Sequence, residues 1–166
     1  MNLRLITLFF ALVLIAGCAS NKSNSTDTKF SQTTLKVFTS AASKRVNDRA
    51  LRQRHGKQVE QSLNSQQLFK AIEYVGDGQD IAGELNTLRI TFVYISEGAS
   101  EWPLQAKVHY LLELDGKSLL NKVYEVEATQ YNAQKACNGC NAKDTALTLL
   151  TEKLLLDVKS ELAKQK

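Results

Sequence analysis

Apolar and polar positions alternate regularly from Thr34 onward, and the period of the alternation changes several times along the chain. Segments with a period of two, rich in β-branched and aromatic residues, indicate strands. Segments with apolar residues three or four positions apart indicate helices. The predicted elements, in chain order, are a strand at 34–38, a helix at 44–64, strands at 68–75, 88–95, 104–114 and 118–129, and a helix at 142–163.

Short local signals define the connections between these elements. Asp115-Gly116 stands between two strand patterns and predicts a hairpin, because both central positions of a type I′ turn need positive φ. Gly56 interrupts the first helix at a cost of about 1 kcal/mol relative to alanine, so this helix is expected to start late or bend there. After Tyr131 a polar connection leads to the final helix. The order β-α-β-β-β-β-α predicts an α+β fold, with a mostly antiparallel sheet of about five strands and the helices packed on one face.

The N-terminal residues form a separate unit. Arg4 precedes an apolar run, Leu5 to Ile15, that is followed by small residues. A basic start, a short apolar run and a small-residue cleavage site are typical of an export signal. The run is also shorter than the ~20 residues that a membrane-spanning helix needs. The closing stretch at 14–18, LIAGC, resembles the lipobox of bacterial lipoproteins.

This resemblance implies a signal peptide at 1–17 and lipidation of Cys18 as the first residue of the mature chain. Members of the class carry acyl chains, such as palmitate, on the sulfur and on the new amine of this cysteine. Stable anchoring needs two chains, so Cys18 is expected to hold the protein on a membrane. Ala19 and Ser20 follow, with no aspartate at the position that retains such lipoproteins in the inner membrane of Gram-negative bacteria.

The resemblance therefore implies an anchor in the outer membrane, with the domain facing the periplasm. In a Gram-positive source, the same motif would place the protein on the outside of the cytoplasmic membrane.

The next segment, Ala19 to about Thr33, is rich in Ser, Asn, Thr and Lys and has almost no apolar residues. Such a composition cannot bury enough surface to offset its ordering entropy. We therefore expect 18–33 to be the lipidated cysteine and a flexible tether, and 34–166 to be a single α+β domain. About 15 residues extend to at most ~50 Å, so the tether would keep the domain near its membrane.

Charge does little to narrow the choice of partner. The chain has 21 basic and 17 acidic residues, and loss of Arg4 with the signal leaves 20 basic residues against 17 acidic ones. So small an excess indicates no particular class of partner, and export makes nucleic acid an unexpected ligand. The expected partners are the membrane, through the lipid anchor, and another protein of the envelope.

Cys137 and Cys140 have the spacing of a redox or metal motif. Outside the cytoplasm paired thiols are normally oxidised, so one interpretation is a disulfide that fixes the start of the final helix. The other is a thiol-disulfide redox site, because the N-terminus of a following helix lowers the pKa of a thiol. A structural zinc needs four ligands, and His55 and His109 are distant in sequence, so neither a metal nor a cofactor is expected.

A basic cluster lies in and just before the first predicted helix, where Asp48 alone opposes it. Lys/Arg-rich tracts can bind anions, and lipid headgroups or glycan phosphates are the anions expected outside the cytoplasm. The alternative is a solvated helix face. The residues of this basic cluster are Lys44, Arg45, Arg49, Arg52, Arg54 and Lys57.

In size and element order the domain is similar to small α/β outer-membrane accessory lipoproteins of Gram-negative bacteria. The step from 59–63, VEQSL, into Leu68 and Phe69 carries part of that likeness. The resemblance implies no functional residues, and no nucleophile stands beside a base in a pattern that indicates catalysis. The expected function is that of a non-enzymatic accessory or adaptor protein. There are two alternatives. One is a redox protein that uses Cys137 and Cys140, and the other is a protein that binds anionic lipid or glycan through the basic cluster.

Overall fold

A five-stranded sheet carries the helices on one face in the computed structural model, which describes residues 30–46, 48–78, 82–96, 102–137 and 139–165. A 3-10 turn at Lys44–Val46 precedes the first helix. The predicted α+β fold is confirmed. The strands are β1 (Thr34–Ala41), β2 (Ala71–Asp77), β3 (Thr87–Ile95), β4 (Leu104–Leu114) and β5 (Lys117–Ala128), and the helices are α1 (Arg49–Ser65), α2 (Gln130–Ala136) and α3 (Ala142–Ala163).

The strand order is β2-β1-β3-β4-β5, and the sheet is mixed. β1 is parallel to β2, because the crossover through α1 returns the chain to the end of the sheet where β1 began, and β1 is also parallel to β3. β3, β4 and β5 form an antiparallel meander with longer ladders. The predicted hairpin at Asp115-Gly116 is confirmed, since both residues have positive φ, 51° and 70°.

The short helix α2 was missed, because the pattern indicated only a polar connection at this point. Its start depends on a capping box, in which Thr129 and Asn132 satisfy each other's backbone N–H groups. The Oγ1 of Thr129 accepts from the N–H of Asn132 at 3.3 Å, and the Oδ1 of Asn132 accepts from the N–H of Thr129 at 2.7 Å. Only Ala133 of this helix is buried. The helix therefore has no apolar face, and its sequence shows no helical periodicity of apolar residues.

The hydrophobic core lies between the sheet and the two long helices. α3 begins and ends where it was predicted, and its predicted apolar stripe is buried against β4 and β5. Helix burial of this kind contributes about 1.5–3 kcal/mol for each large side chain. The buried apolar residues of α3 are Ala142, Ala146, Leu147, Leu150, Leu154, Val158 and Leu162.

The predicted signal peptide, Cys18 and most of the predicted tether lie outside the described residues. Phe30, which the sequence placed in the tether, is only 4% exposed and belongs to the core. The carbonyl of Phe30 accepts from the N–H of Thr33 at 2.9 Å, and the carbonyl of Thr33 accepts from the N–H of Lys70 at 3.0 Å. The packed domain therefore includes Phe30. No helix within the described ranges is long and apolar enough to cross a membrane.

Gly56 does not interrupt α1, which is continuous from Arg49 to Ser65. Here the sheet is so close to the helix that the ring of Tyr74 occupies the space a side chain would need. A Cβ on Gly56 would lie 2.5 Å from Cδ2 and 2.9 Å from Cζ of that ring. Glycine is therefore required by the approach of α1 to β2, and the cost in helix propensity is offset by that packing.

Replacing Gly56 with alanine should lower the free energy of unfolding by about 1–3 kcal/mol, because overpacking outweighs the gain in helix propensity. Urea denaturation of the purified protein measures this change. Gln61→Ala, at an exposed position of the same helix, should change it by less than about 0.5 kcal/mol. In a Tyr74→Ala background the cost of Gly56→Ala should vanish; a stabilising Gly56→Ala in the wild type would contradict the packing explanation.

Candidate functional site

The basic cluster is divided by the fold, and Arg52 is removed from its accessible part. The Arg52 side chain is 7% exposed, and so is that of Asp77 at the end of β2. Its Nε donates to Oδ1 of Asp77 at 2.7 Å, its Nη2 donates to Oδ2 at 2.7 Å, and its Nη1 donates to the carbonyl of Val46 at 2.6 Å. Arg52 therefore connects α1, β2 and the 3-10 turn, and it has no role as a surface anion site.

The electrostatics around Asp77 follow from this pairing. The Arg52 guanidinium holds the pKa of Asp77 below its ordinary value, and a hydrogen bond from Thr39 adds to the effect. Thr39 also bonds the hydroxyl of Tyr74 at 2.8 Å. Burial raises the pKa of Tyr74. The network holds the ends of β1 and β2 against α1.

The remaining members of the basic cluster lie in two places. Lys44, Arg45 and Arg49 are exposed at the end of the sheet where β1 finishes. Arg54 and Lys57 lie further along α1, and Nη1 of Arg54 pairs with Oδ1 of Asp144 on α3 at 2.6 Å. The helix carries cations on different sides, so these side chains do not form one continuous patch.

A groove between α1 and α3 brings part of the basic cluster to the cysteine motif. Its volume is about 460 Å³. The Nε2 of Gln58 donates to the hydroxyl of Thr148 across it at 3.2 Å. Since Arg54 is neutralised by Asp144, Lys57 is the cation in the groove without an ion pair to a described residue. The groove is lined by Arg54, Lys57, Gln58, Gln61, Cys140, Asp144 and Thr148.

Cys137 and Cys140 are joined by a disulfide, as one of the two interpretations predicted. Cys137 is the C-cap of α2, and Cys140 comes just before Asn141, the N-cap of α3. The C-terminus of a helix carries partial negative charge, which disfavours a thiolate. The first cysteine therefore lies at the wrong helix end for an activated thiol, and the position favours a covalent link between two helices.

His55 lies in the core and not in a solvated basic face. It is fully buried, its Nε2 is 2.6 Å from the hydroxyl of Tyr110, and its ring meets that of Phe92 edge to face at 5.6 Å. Its Nδ1 has no hydrogen-bond partner among the described residues. Burial lowers the pKa of His55 to about 3. His109 is on the opposite face of the sheet, where its Nε2 bonds Oδ1 of Asn121 at 2.7 Å.

The protein should lose stability as the pH falls below about 6.5, because the unfolded chain protonates His55 there and the folded one does not until about pH 3. Between pH 7 and pH 4.5 the loss should be about 2–3 kcal/mol. The folded-state pKa values of Asp48, Asp77 and Asp157 are lowered, so their contributions disappear only below the ordinary value of 3.8.

Urea denaturation at both pH values measures the loss. His55→Gln should abolish most of it, while His109→Gln, which changes a partly exposed histidine on the opposite face of the sheet, should retain it. An equal loss in His55→Gln and in the wild type would contradict the assignment to His55.

A second polar group connects β5 to α3. The hydroxyl of Tyr124 donates to Oδ2 of Asp157, which also accepts from Nζ of Lys122 at 2.8 Å. Lys122 and then Tyr124 hold the pKa of Asp157 below its ordinary value, while burial and the carboxylate raise the pKa of Tyr124. The sequence could not indicate this group, because Asp157 is far from both partners along the chain.

The face of the sheet opposite the helices is a second candidate surface, and no described element covers it over β3, β4 and β5. Cross-strand pairs run along it. Apolar side chains lie between them: Val123 is 50% exposed, and Leu111 is partly exposed. The pairs are Arg89 with Glu113, His109 with Asn121, Lys107 with Glu125 and Gln105 with Glu127.

At the β1 side of the same face Phe38 is buried and separate from the main core. The accessible area is therefore the open face, defined here as the outward side chains of β3, β4 and β5.

The fold and these surfaces define a two-layer α+β domain with one uncovered sheet face. No protein-family model and no curated protein sequence matches the chain. Its fold is similar to the crystal structure of a protein from Xanthomonas campestris assigned to the DUF330 family. That similarity has a TM-score of 0.54 at 15% sequence identity, over 84% of this chain and 91% of the other. At this identity the likeness shows a shared fold and nothing about activity.

Proposed function

We propose that this protein is a lipoprotein anchored to the outer membrane through Cys18, and that it acts in the periplasm as a non-enzymatic adaptor for another envelope protein. The observation that carries the adaptor role is the open face. It combines exposed apolar side chains with cross-strand polar pairs, on a sheet whose other face packs against the helices.

The chemistry of the open face suits a partner that binds and dissociates as a folded protein. Interfaces of that kind are about as apolar as the rest of a protein surface and are rimmed by polar groups. On this face Val123 and Leu111 provide the apolar centre, and the ion pairs of Glu113 and Glu125 provide the rim. A purely apolar face would instead favour a permanent assembly.

One edge of the sheet is closed to strand addition, which favours the open face as the docking surface. The side-chain amide of Asn64 bonds both the N–H and the carbonyl of Ile72 on β2, and Glu60 accepts from the N–H of Tyr74. Side chains of α1 therefore occupy backbone groups that an edge strand would otherwise offer to another chain.

Part of the basic cluster lies at the end of the domain away from the point where the tether joins it. The chain enters the domain at Phe30, beside the start of β1, while Lys44 and Arg45 follow the end of that strand. Eight residues of strand separate the two ends by about 26 Å. This distance is shorter than the ~50 Å that the tether can span, so the anchor neither requires nor prevents contact between these cations and the membrane.

Substituting Cys18 with serine should abolish lipid attachment and release the protein from membranes, because attached acyl chains supply the anchoring energy in this proposal. Metabolic labelling with a palmitate analogue, followed by membrane fractionation, measures both effects. A matched control is the pair Cys137→Ser with Cys140→Ser, which should retain the label and the membrane association. Label that persists in Cys18→Ser, or a wild-type protein without label, would overturn the anchor.

Substituting Val123 with glutamate should reduce partner recovery at least tenfold, because it places a charge at the apolar centre of the open face. The measurement is quantitative co-purification from detergent-solubilised native membranes. Leu156→Glu is the control, since Leu156 is 70% exposed on α3 in the other layer and recovery should be unchanged. Equal recovery with both variants, at unchanged folding by circular dichroism, would count against the open face.

A further inference from the structure

A cleft lies where β1 and β3 end side by side. The two strands are parallel, and their connections leave in opposite directions: the 3-10 turn and α1 lead from β1 toward β2, and β3 continues toward β4 on the other side. In open sheets this divergence at the carboxyl ends of neighbouring parallel strands creates a crevice where ligands bind. The crevice here has a volume of about 490 Å³, within the ~300–1,000 Å³ typical of small-molecule sites.

The lining of the cleft combines one cation with aromatic and aliphatic surface. Arg45 is exposed and makes no hydrogen bond or ion pair with any residue in the described ranges. Tyr94 is 47% exposed and Val93 is 37% exposed. The lining residues are Ser43, Arg45, Val46, Val93, Tyr94 and Ile95.

A bulge in β3 places the side chain of Tyr94 in the lining of the cleft. The register with β4 shifts between Phe92 and Tyr94, so that Phe92 faces Val108 and Tyr94 faces Lys107. Without the extra residue, Tyr94 would follow Ile90 and Phe92 onto the core face of the sheet, since side chains alternate with a period of two. Bulges of this kind re-aim a side chain and are enriched beside functional sites.

From these observations, we propose that the cleft binds a small organic carboxylate with an apolar or aromatic group. The guanidinium of Arg45 pairs with the carboxylate through two parallel hydrogen bonds, as its planar fork allows. Tyr94, Val93 and Ile95 contact the apolar group. The site goes beyond the adaptor role and does not depend on the lipid anchor. Tyr94 is an outward side chain of β3, but Val123 and Leu111, the apolar centre of the open face, do not line the cleft. The test of the cleft is therefore independent of Cys18 and of the Val123 test.

The experiment titrates the full chain, purified in detergent, with N-acetyl-phenylalanine, using backbone NMR shifts as the readout and protein-free micelles as the blank. We expect saturable binding at millimolar concentration or below, with shifts at Arg45 and Tyr94. N-acetyl-phenylalanine amide, which lacks the charge, should bind at least tenfold more weakly. Inorganic phosphate, which lacks the apolar group, should also bind at least tenfold more weakly.

Arg45→Gln and Tyr94→Ser should each weaken binding of N-acetyl-phenylalanine at least tenfold while the thermal midpoint stays the same, because both side chains are outside the core. Lys44→Gln removes a neighbouring exposed cation that does not line the cleft, and it should leave binding within twofold of wild type. The proposal is overturned by the absence of saturable binding, by equal binding of phosphate, or by equal effects of Arg45→Gln and Lys44→Gln.

Discussion

The bidentate pair between Arg52 and Asp77 connects the parts of the molecule on which the other features depend. Both side chains are almost completely buried, and the third donor of the guanidinium holds the carbonyl of Val46. Removing one partner of a buried pair leaves an uncompensated charge and costs about 3–5 kcal/mol. The pair therefore fixes α1 on β2, and through that position it brings Gly56 against Tyr74. It also holds the 3-10 turn that forms one wall of the cleft beside β3.

The division of the molecule into two layers explains how its surfaces can serve different purposes. The helices pack on one face of the sheet, so the opposite face over β3, β4 and β5 is accessible without cost to the core. The cleft lies at the end of the sheet where β1 and β3 finish, and the described chain begins at the other end of β1. In the proposed arrangement, the tether reaches the domain at one end of β1 and the cleft lies at the other.

Some of the residues that the sequence suggested for anion binding have structural roles instead. Of the six cations that the sequence grouped together, Arg52 is buried and Arg54 is paired with Asp144, while Arg45 acquires a distinct setting beside Tyr94. Charge composition could not separate these roles, because each depends on a partner from a distant part of the chain. The cysteine pair differs from the basic cluster, because two cysteines three residues apart can form a disulfide whatever the tertiary structure around them.

The sequence alone determined the features that depend on local periodicity and turn chemistry: the limits of α3, the hairpin at Asp115-Gly116, the α+β class and the placement of both long helices on one face. It also provided the lipobox resemblance, on which the proposed anchor depends. Tertiary structure decided the parallel pairing of β1, the reason for Gly56, the burial of His55 and the bulge that turns Tyr94 outward. Each of these features depends on which distant segments of the chain become neighbours in the fold. The residues next to a position in sequence do not determine those contacts.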